Sequence, residues 1–157
     1  MSAFEVASGD AGIAVEAVGD GVPVVLLHAG VADRRTWGAQ VGALAAAGFR
    51  AIAYDRRGFG ETLHADDAYS QVGDLVAVLD ACAPCAPAIL VGCSQGGRIA
   101  IDAALSHPER VSGLLLVAPA ISGAPEPSSL PPAIQAWIDR VERAEAASDT
   151  DRINALE

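Results

Sequence analysis

The sequence predicts an α/β fold, in which helices alternate with the strands of a sheet. Strand-like and helix-like segments alternate along the 157 residues, which is typical of such sheets. Continuous apolar runs, such as Val24 to Leu27 and Leu114 to Ala118, have the length of strands that are buried on both faces. Between such runs, apolar residues recur at helical spacing, for example from Val72 to Leu79.

The elements follow one another in a simple order that opens with a hairpin, because turn-forming residues separate the first two strand-like segments. The predicted strands are Phe4–Ala7, Ile13–Val18, Val24–His28, Arg50–Tyr54, Ala88–Cys93 and Gly113–Ala118, and the predicted helices are Thr36–Ala47, Ala68–Ala81, Ser94–Ser106 and Ala133–Ala147. Gly48 is expected to end the first helix, and Pro108 stops the third. A loop rich in Pro, Ser and Gly, from Ala120 to Pro132, separates a core over residues 1–122 from a segment over residues 123–157.

Charge excludes several function classes. The net charge is −10, and all ten bases are arginine. Without lysine the chain offers no Schiff-base anchor and no phosphate-loop lysine. Without basic clusters it does not favour nucleic acid. No apolar run approaches the ~20 residues of a membrane span, and no secretory signal opens the chain, so we expect a cytoplasmic protein.

Cysteine spacing raises the question of a redox or zinc site. Cys82 and Cys85 have C-x-x-C spacing, but the pair closes a predicted helix, whereas a reactive pair opens one. No second ligand pair follows at the spacing of a zinc site. We therefore expect ordinary loop cysteines and no metal.

The segment from Gly92 to Gly96 has the pattern G-x-S-x-G and stands between a predicted buried strand and a predicted helix. In this context a serine nucleophile is held on a tight turn, with its hydroxyl clear of the sheet. A side chain at position 92 or 96 is expected to collide with the neighbouring strand or helix. We predict that Ser94 is a nucleophile and that the Gln95 N–H, at the helix N-terminus, donates to an oxyanion.

Three further segments accompany this turn in a characteristic order. They are Val25 to Gly30 (VLLHAG), Ala53 to Thr62 (AYDRRGFGET) and Ser106 to Val111 (SHPERV). With the G-x-S-x-G turn they cover most of the chain between residues 24 and 118. On these motifs the chain resembles the α/β-hydrolase superfamily, and within it the small esterase, lactonase and haloperoxidase-like enzymes.

The resemblance implies a central, mostly parallel sheet with helices on both faces. It also implies roles for residues in these motifs. Gly30 would supply the second oxyanion N–H. His28 would be structural and would bond loop backbone, although its position at a strand end also invites an interpretation as the base. Asp55 and Arg57 would shape their loop, so that Asp55 is not expected to be the triad acid.

The other histidines are weak candidates for the base. His107 stands at the far end of the predicted nucleophile helix, roughly 20 Å from Ser94 at 1.5 Å per residue. His64, in the loop after Thr62, remains a candidate for the base, but the only argument for it is that the chain has just three histidines.

The resemblance also implies a catalytic triad in the order Ser, acid, His. The acid would follow a lid segment and the histidine would lie near the C-terminus, but neither has a matching position. Residues 123–157 would begin the lid. We therefore expect the chain to be the N-terminal part of a hydrolase, with an incomplete sheet, no cofactor and poor activity on its own, since a serine needs a base to accept its proton.

Three interpretations of the function remain at this point. The first is a serine hydrolase that acts on an ester, lactone or related acyl substrate. The second is a non-catalytic ligand-binding protein or pseudoenzyme on the same fold. The third is a fragment whose C-terminal portion is a separate polypeptide. The expected partners are a small acyl substrate and, because the last strand would leave an apolar edge, the missing portion or another copy of the chain.

The two tryptophans are candidates for substrate contact. Trp37 follows the predicted oxyanion loop, and Trp137 lies in the predicted lid helix. Both could line an apolar pocket, and ordinary packing explains both equally well.

Overall fold

The computed structural model describes residues 3–63, 68–125 and 131–146, apart from the side chains of residues 141, 142 and 144–146. The chain divides into two compact units, Met1–Ser122 and Gly123–Glu157. In the described residues, the first unit holds the sheet and three α-helices, and the second holds one. That the second unit begins a lid stays a prediction.

A six-stranded sheet forms the centre of the first unit, as far as it is described. The strands are β1 (Phe4–Ser8), β2 (Ala11–Val18), β3 (Pro23–Leu27), β4 (Arg50–Tyr54), β5 (Ala88–Cys93) and β6 (Val111–Val117). Their order across the sheet is β1-β2-β4-β3-β5-β6. The β1–β2 hairpin joins β4 in antiparallel pairing, and β4, β3, β5 and β6 are parallel. The predicted mostly parallel sheet is confirmed.

Helices cover both faces of this sheet, as predicted. They are α1 (Gly38–Ala46), α2 (Gln71–Cys82) and α3 (Gln95–Ser106), all in the first unit. The second unit holds α4 (Pro132–Ala146). Because successive side chains of a strand point to opposite faces, Val25 and Leu27 join the core under α2 and α3. Val24 and Leu26 pack on the other face with Val41 of α1. Each fully buried residue of this size contributes about 1.5–3 kcal/mol.

Element boundaries differ from the prediction where local bonds decide them. The hairpin turn consists of Gly9 and Asp10 alone, since Ser8 pairs with Ala11 and Gly9 takes a φ of +56°. The first helix is preceded by a 3-10 turn, Arg34–Trp37. The Ser70 hydroxyl caps α2 by accepting the Gly73 N–H at 3.1 Å, so α2 begins three residues later than predicted.

The ends of the helices follow the predicted signals. Gly48 has a φ of +85°, the left-handed conformation that favours glycine after a helix. Cys82 ends α2 and is buried, and burial raises the pKa of its thiol. Cys85 is exposed, and both thiols are free. Among the described helices, none is long and apolar enough to cross a membrane.

Strand β6 lies at one edge of the sheet. Its residues from Leu114 to Val117 are 37–53% exposed, although all four are large and apolar. An apolar edge of this kind is prone to association. Association with another chain stays a prediction.

Candidate active site

Ser94 lies on the turn between β5 and α3 in a strained conformation. Its φ of 50° and ψ of −114° are rare for a residue with a side chain, and such strain costs of order 1–3 kcal/mol. Backbone bonds hold the turn, since the Ser94 N–H donates to the Val117 carbonyl and the Ala120 N–H donates to the Ser94 carbonyl, both at 3.0 Å. The Ser94 hydroxyl makes no capping hydrogen bond to the N-terminus of α3.

The two glycines of the turn are required by close backbone contacts. A Cβ on Gly92 would lie 2.6 Å from the Gly96 carbonyl oxygen, and a Cβ on Gly96 would lie 2.3 Å from the Leu27 carbonyl oxygen. The expected collision of a side chain at these positions is thus confirmed. The N-terminus of α3 therefore rests directly on the backbone at the end of β3.

This packing brings the side chain of Gln95 against Gly30, the other residue predicted to donate to an oxyanion. A Cβ on Gly30 would lie 2.7 Å from the Gln95 amide carbon, so these residues are in close contact. Gln95 is the first residue of α3, and its N–H has no partner within the helix. The loop that carries Gly30 thus lies close to the N-terminus of α3.

His28 is enclosed and structurally engaged. It is fully buried, its Nδ1 lies 2.8 Å from the Ala29 carbonyl oxygen, and its Nε2 accepts the Arg56 N–H at 3.1 Å. These bonds require the neutral ring with the proton on Nδ1. Burial lowers the pKa of His28 below its ordinary 6.5. Both ring nitrogens form hydrogen bonds to backbone atoms. This supports a structural role for His28 and argues against a role as the base.

We expect the stability of the protein to depend on His28 in the pH window below its ordinary pKa of 6.5. Because the folded-state pKa is lowered, the unfolded chain binds more protons in this window. The free energy of unfolding should therefore be highest above pH 6.5 and fall as the pH drops below it. Urea denaturation at several pH values measures this slope, and His28→Gln should flatten it. An unchanged slope in His28→Gln would refute the assignment.

The loop after β4 is built around buried Asp55. Its carboxylate accepts the backbone N–H of Arg34 at 2.7 Å and that of Glu61 at 2.8 Å, and it pairs with the Arg34 guanidinium. Arg34 also pairs with Glu61 at 2.7 Å. Thr62 donates to the Asp55 carbonyl oxygen at 2.8 Å and accepts the Ala14 N–H at 2.9 Å. Hydrogen bonds and an ion pair thus engage both oxygens of the Asp55 carboxylate and shape the loop, as the sequence predicts.

Arg57 ties this loop to two other elements. Its guanidinium pairs with Asp74 of α2 at 2.9 Å and donates to the Ser8 carbonyl oxygen at 2.7 Å. Both side chains of the ion pair are about 5% exposed. Arg57 thus fixes α2 and the hairpin against the loop, which is a structural role.

No histidine base is found next to Ser94 among the described residues. His107 follows the last residue of α3, a helix of 12 residues that is roughly 18 Å long. Its side chain is 41% exposed and lies 3.7 Å from Glu109. His64 lies outside the described residues.

The structure places the two tryptophans in different units. Trp37 packs beside the small core under α1 and lines an apolar groove of about 410 Å³ together with Leu26, Leu115 and Val117. The carbonyl of Val117 accepts the Ser94 N–H, so the groove lies near Ser94. Trp137 is on α4 in the second unit and is 45% exposed. Substrate contact by either residue stays a prediction.

Arg56 was not predicted as part of the site. It is 2% exposed, and it donates to the Gln95 Oε1 at 3.1 Å and to the Ala29 carbonyl oxygen at 3.0 Å. In the motif it occupies the unspecified position between Asp55 and Arg57. One signal in the sequence points to Arg56: it is a charged residue that follows Asp55, directly after the buried strand β4.

No group of three or more His, Cys, Asp or Glu side chains in the described part of the chain is placed to hold a metal ion. The carboxylates of Asp55 and Glu61 are both paired with Arg34.

Comparison with known proteins gives a consistent family. A model of the Alpha/beta hydrolase family matches residues 24–155. Epoxide hydrolase B of Mycobacterium tuberculosis (strain ATCC 25618 / H37Rv) is 35% identical over 123 residues, which cover 71% of this chain and 34% of that protein.

Solved structures agree with this result. An esterase from Exiguobacterium antarcticum superposes with a TM-score of 0.73 at 28% identity, over 94% of this chain and 58% of that one. A bromoperoxidase from Bacillus anthracis superposes with a TM-score of 0.72 at 27% identity, over 93% and 57%. The chain spans less than two thirds of the length of each of these three relatives.

Proposed function

The chain belongs to the α/β-hydrolase family, and from this premise we propose that the protein is a serine hydrolase that cleaves an ester, lactone or related acyl substrate. The observation that carries the proposal is the strained backbone of Ser94, which has a φ of 50°. The next residue, Gln95, begins α3 and contacts Gly30. Strain of this kind concentrates at functional sites, where the surrounding structure maintains it.

In the proposed reaction the Ser94 Oγ attacks the substrate carbonyl. The carbonyl oxygen becomes an oxyanion, which accepts hydrogen bonds from the Gly30 and Gln95 N–H groups. Collapse of this intermediate expels the alcohol and leaves an acyl group on Ser94, and water then hydrolyses the acyl-enzyme. A base must take the serine proton and return it to the leaving group. In this proposal the base comes from outside the described residues.

The serine argues for acyl substrates over epoxides, although several relatives are named epoxide hydrolases. A carboxylate that opens an epoxide forms an ester, which water can hydrolyse. A serine hydroxyl that opens an epoxide would form an ether, which water does not cleave, so the enzyme would stop after one turnover. With Ser94 on the turn, catalytic turnover requires a carbonyl substrate.

A substrate panel tests this proposal on the product of the complete open reading frame. With p-nitrophenyl acetate we expect steady hydrolysis preceded by a burst of up to one p-nitrophenol per protein, since an acyl-enzyme accumulates when deacylation is slow. With styrene oxide we expect no diol. Turnover of the epoxide without turnover of the ester would refute the proposed substrate class.

A protein that turns over no member of the panel but binds an ester analogue would instead be the non-catalytic ligand-binding protein considered from the sequence. The cytoplasmic location also stays a prediction.

A further inference from the structure

Arg56 is a buried arginine without a carboxylate partner in the part of the chain that the structure describes. The other buried arginines, Arg34 and Arg57, each have an ion pair. Arg56 is 2% exposed, and its Nε is buried with no hydrogen-bond partner. Its guanidinium carbon lies 4.5 Å from the centre of the Phe59 ring, which is a modest favourable contact. Removing such a charge from water is costly, so its retention calls for an explanation.

Both polar contacts of the Arg56 guanidinium act on one peptide unit. Nη2 donates to the Ala29 carbonyl oxygen at 3.0 Å, and this oxygen also lies 2.8 Å from His28 Nδ1. The peptide between Ala29 and Gly30 is planar and trans, so its N–H points away from its carbonyl. Two donors that fix the carbonyl therefore also fix the direction of the Gly30 N–H.

The second contact reaches the same peptide through a side chain. Nη1 of Arg56 donates to Gln95 Oε1 at 3.1 Å. The Gln95 amide in turn lies against Gly30, where all three of its outer atoms are within 2.8 Å of the site of a Cβ. Gln95 is otherwise an exposed residue, so the bond from Arg56 holds its side chain over Gly30.

From these contacts we infer that Arg56 is a positioning residue that aims the Gly30 N–H at the oxyanion and places a positive charge behind it. The inference rests on the proposed function, because it assigns Gly30 as an oxyanion donor. It accounts for a buried charge that has no carboxylate partner among the described residues, since an oxyanion in the transition state would offset it. Burial lowers the pKa of Arg56, which is consistent with a charge that lacks a permanent counterion.

The test compares Arg56→Met and Arg56→Lys in the product of the complete open reading frame. In Arg56→Met we expect kcat for p-nitrophenyl acetate to fall at least tenfold, and by no more than the ~10²–10³-fold lost with a whole oxyanion donor. KM should change less than threefold. The rate of phosphonylation of Ser94 by a fluorophosphonate should fall with kcat, since its phosphoryl oxygen occupies the same position. Arg56→Lys should recover part of the loss, because an ammonium keeps the charge but not the planar fork that serves two acceptors.

Stability separates this role from a purely structural one. Because Arg56→Met removes a buried charge that has no carboxylate partner among the described residues, we expect the melting temperature to stay the same or rise. Arg35→Met is the matched control, since Arg35 is 78% exposed and pairs with Asp33. It should change kcat by less than twofold.

Two results would overturn the inference and leave the proposed function standing. One is an Arg56→Met variant whose kcat and rate of phosphonylation equal those of the unsubstituted protein. The other is a loss of kcat accompanied by a clear fall in melting temperature, which would show that Arg56 only supports the fold. If the unsubstituted protein itself forms no adduct on Ser94, the proposed function fails, and this inference fails with it.

Discussion

Replacing Ser94 with alanine is expected to lower kcat for ester hydrolysis by about 10⁵-fold or more, the scale seen when a serine nucleophile is removed elsewhere. The substitution removes the atom that forms the acyl bond but leaves the turn, α3 and the oxyanion donors in place. KM should therefore stay within about threefold, because ground-state binding does not use the hydroxyl. Steady-state kinetics on the product of the complete open reading frame measures both constants.

Ser106→Ala is the matched control for this substitution. Ser106 is the last residue of α3, and its hydroxyl only donates to the Asp102 carbonyl oxygen of the same helix at 2.7 Å. It should keep wild-type kcat. A Ser94→Ala variant that retains more than a hundredth of the activity would show that another group is the nucleophile.

Gly96→Ala is expected to be the most destabilising of the small substitutions in the site, at about 3 kcal/mol or more. The added methyl group would lie 2.3 Å from the Leu27 carbonyl oxygen and 2.7 Å from that of His28. These are backbone atoms of a central strand, which cannot rotate away as a side chain would. Overpacking alone costs about 1–3 kcal/mol, and displacement of a strand adds to it. Urea denaturation gives the change in the free energy of unfolding.

Gly42→Ala is the control for Gly96→Ala. Gly42 lies inside α1, and a Cβ there would meet no atom within 4 Å. Because alanine is the better helix former, this variant should be more stable by about 0.5–1 kcal/mol. Equal effects of the two substitutions would contradict the close packing of α3 on β3.

The same contact has a consequence for function. Gly96 is the last residue of the G-x-S-x-G turn, and it sets how closely α3 approaches the end of β3. Pushing α3 away should separate Gln95 from Gly30. Any Gly96→Ala protein that still folds is therefore expected to lose phosphonylation as well as stability.

Most of the fold could be predicted because local patterns specify it. Strands β4 and β5 were predicted to the residue, since each is an apolar run with clear boundaries. Ser94 could be singled out as the predicted nucleophile because a nucleophile turn has its glycines and serine within five residues. The geometry that makes the glycines necessary was also inferred correctly, because it follows from packing a helix directly on a strand.

The rest of the site depends on contacts that the sequence does not encode locally. Arg56 and Gln95 are 39 positions apart, and Arg34 lies 21 positions before Asp55. An arginine side chain has several rotatable bonds, so its partner is known only when strand order and register are known. For this reason Asp55 was predicted to shape its loop, but the arginine that neutralises it was missed.

The most direct test of the central claim is the intact mass of the protein after incubation with a fluorophosphonate. The product of the complete open reading frame and its Ser94→Ala variant should be treated in parallel, with the fold of each checked by circular dichroism. We predict one adduct, mapped by peptide analysis to Ser94 and absent from the variant. A folded protein that gains no adduct, or gains it at another residue, would contradict the assignment of Ser94 as the nucleophile.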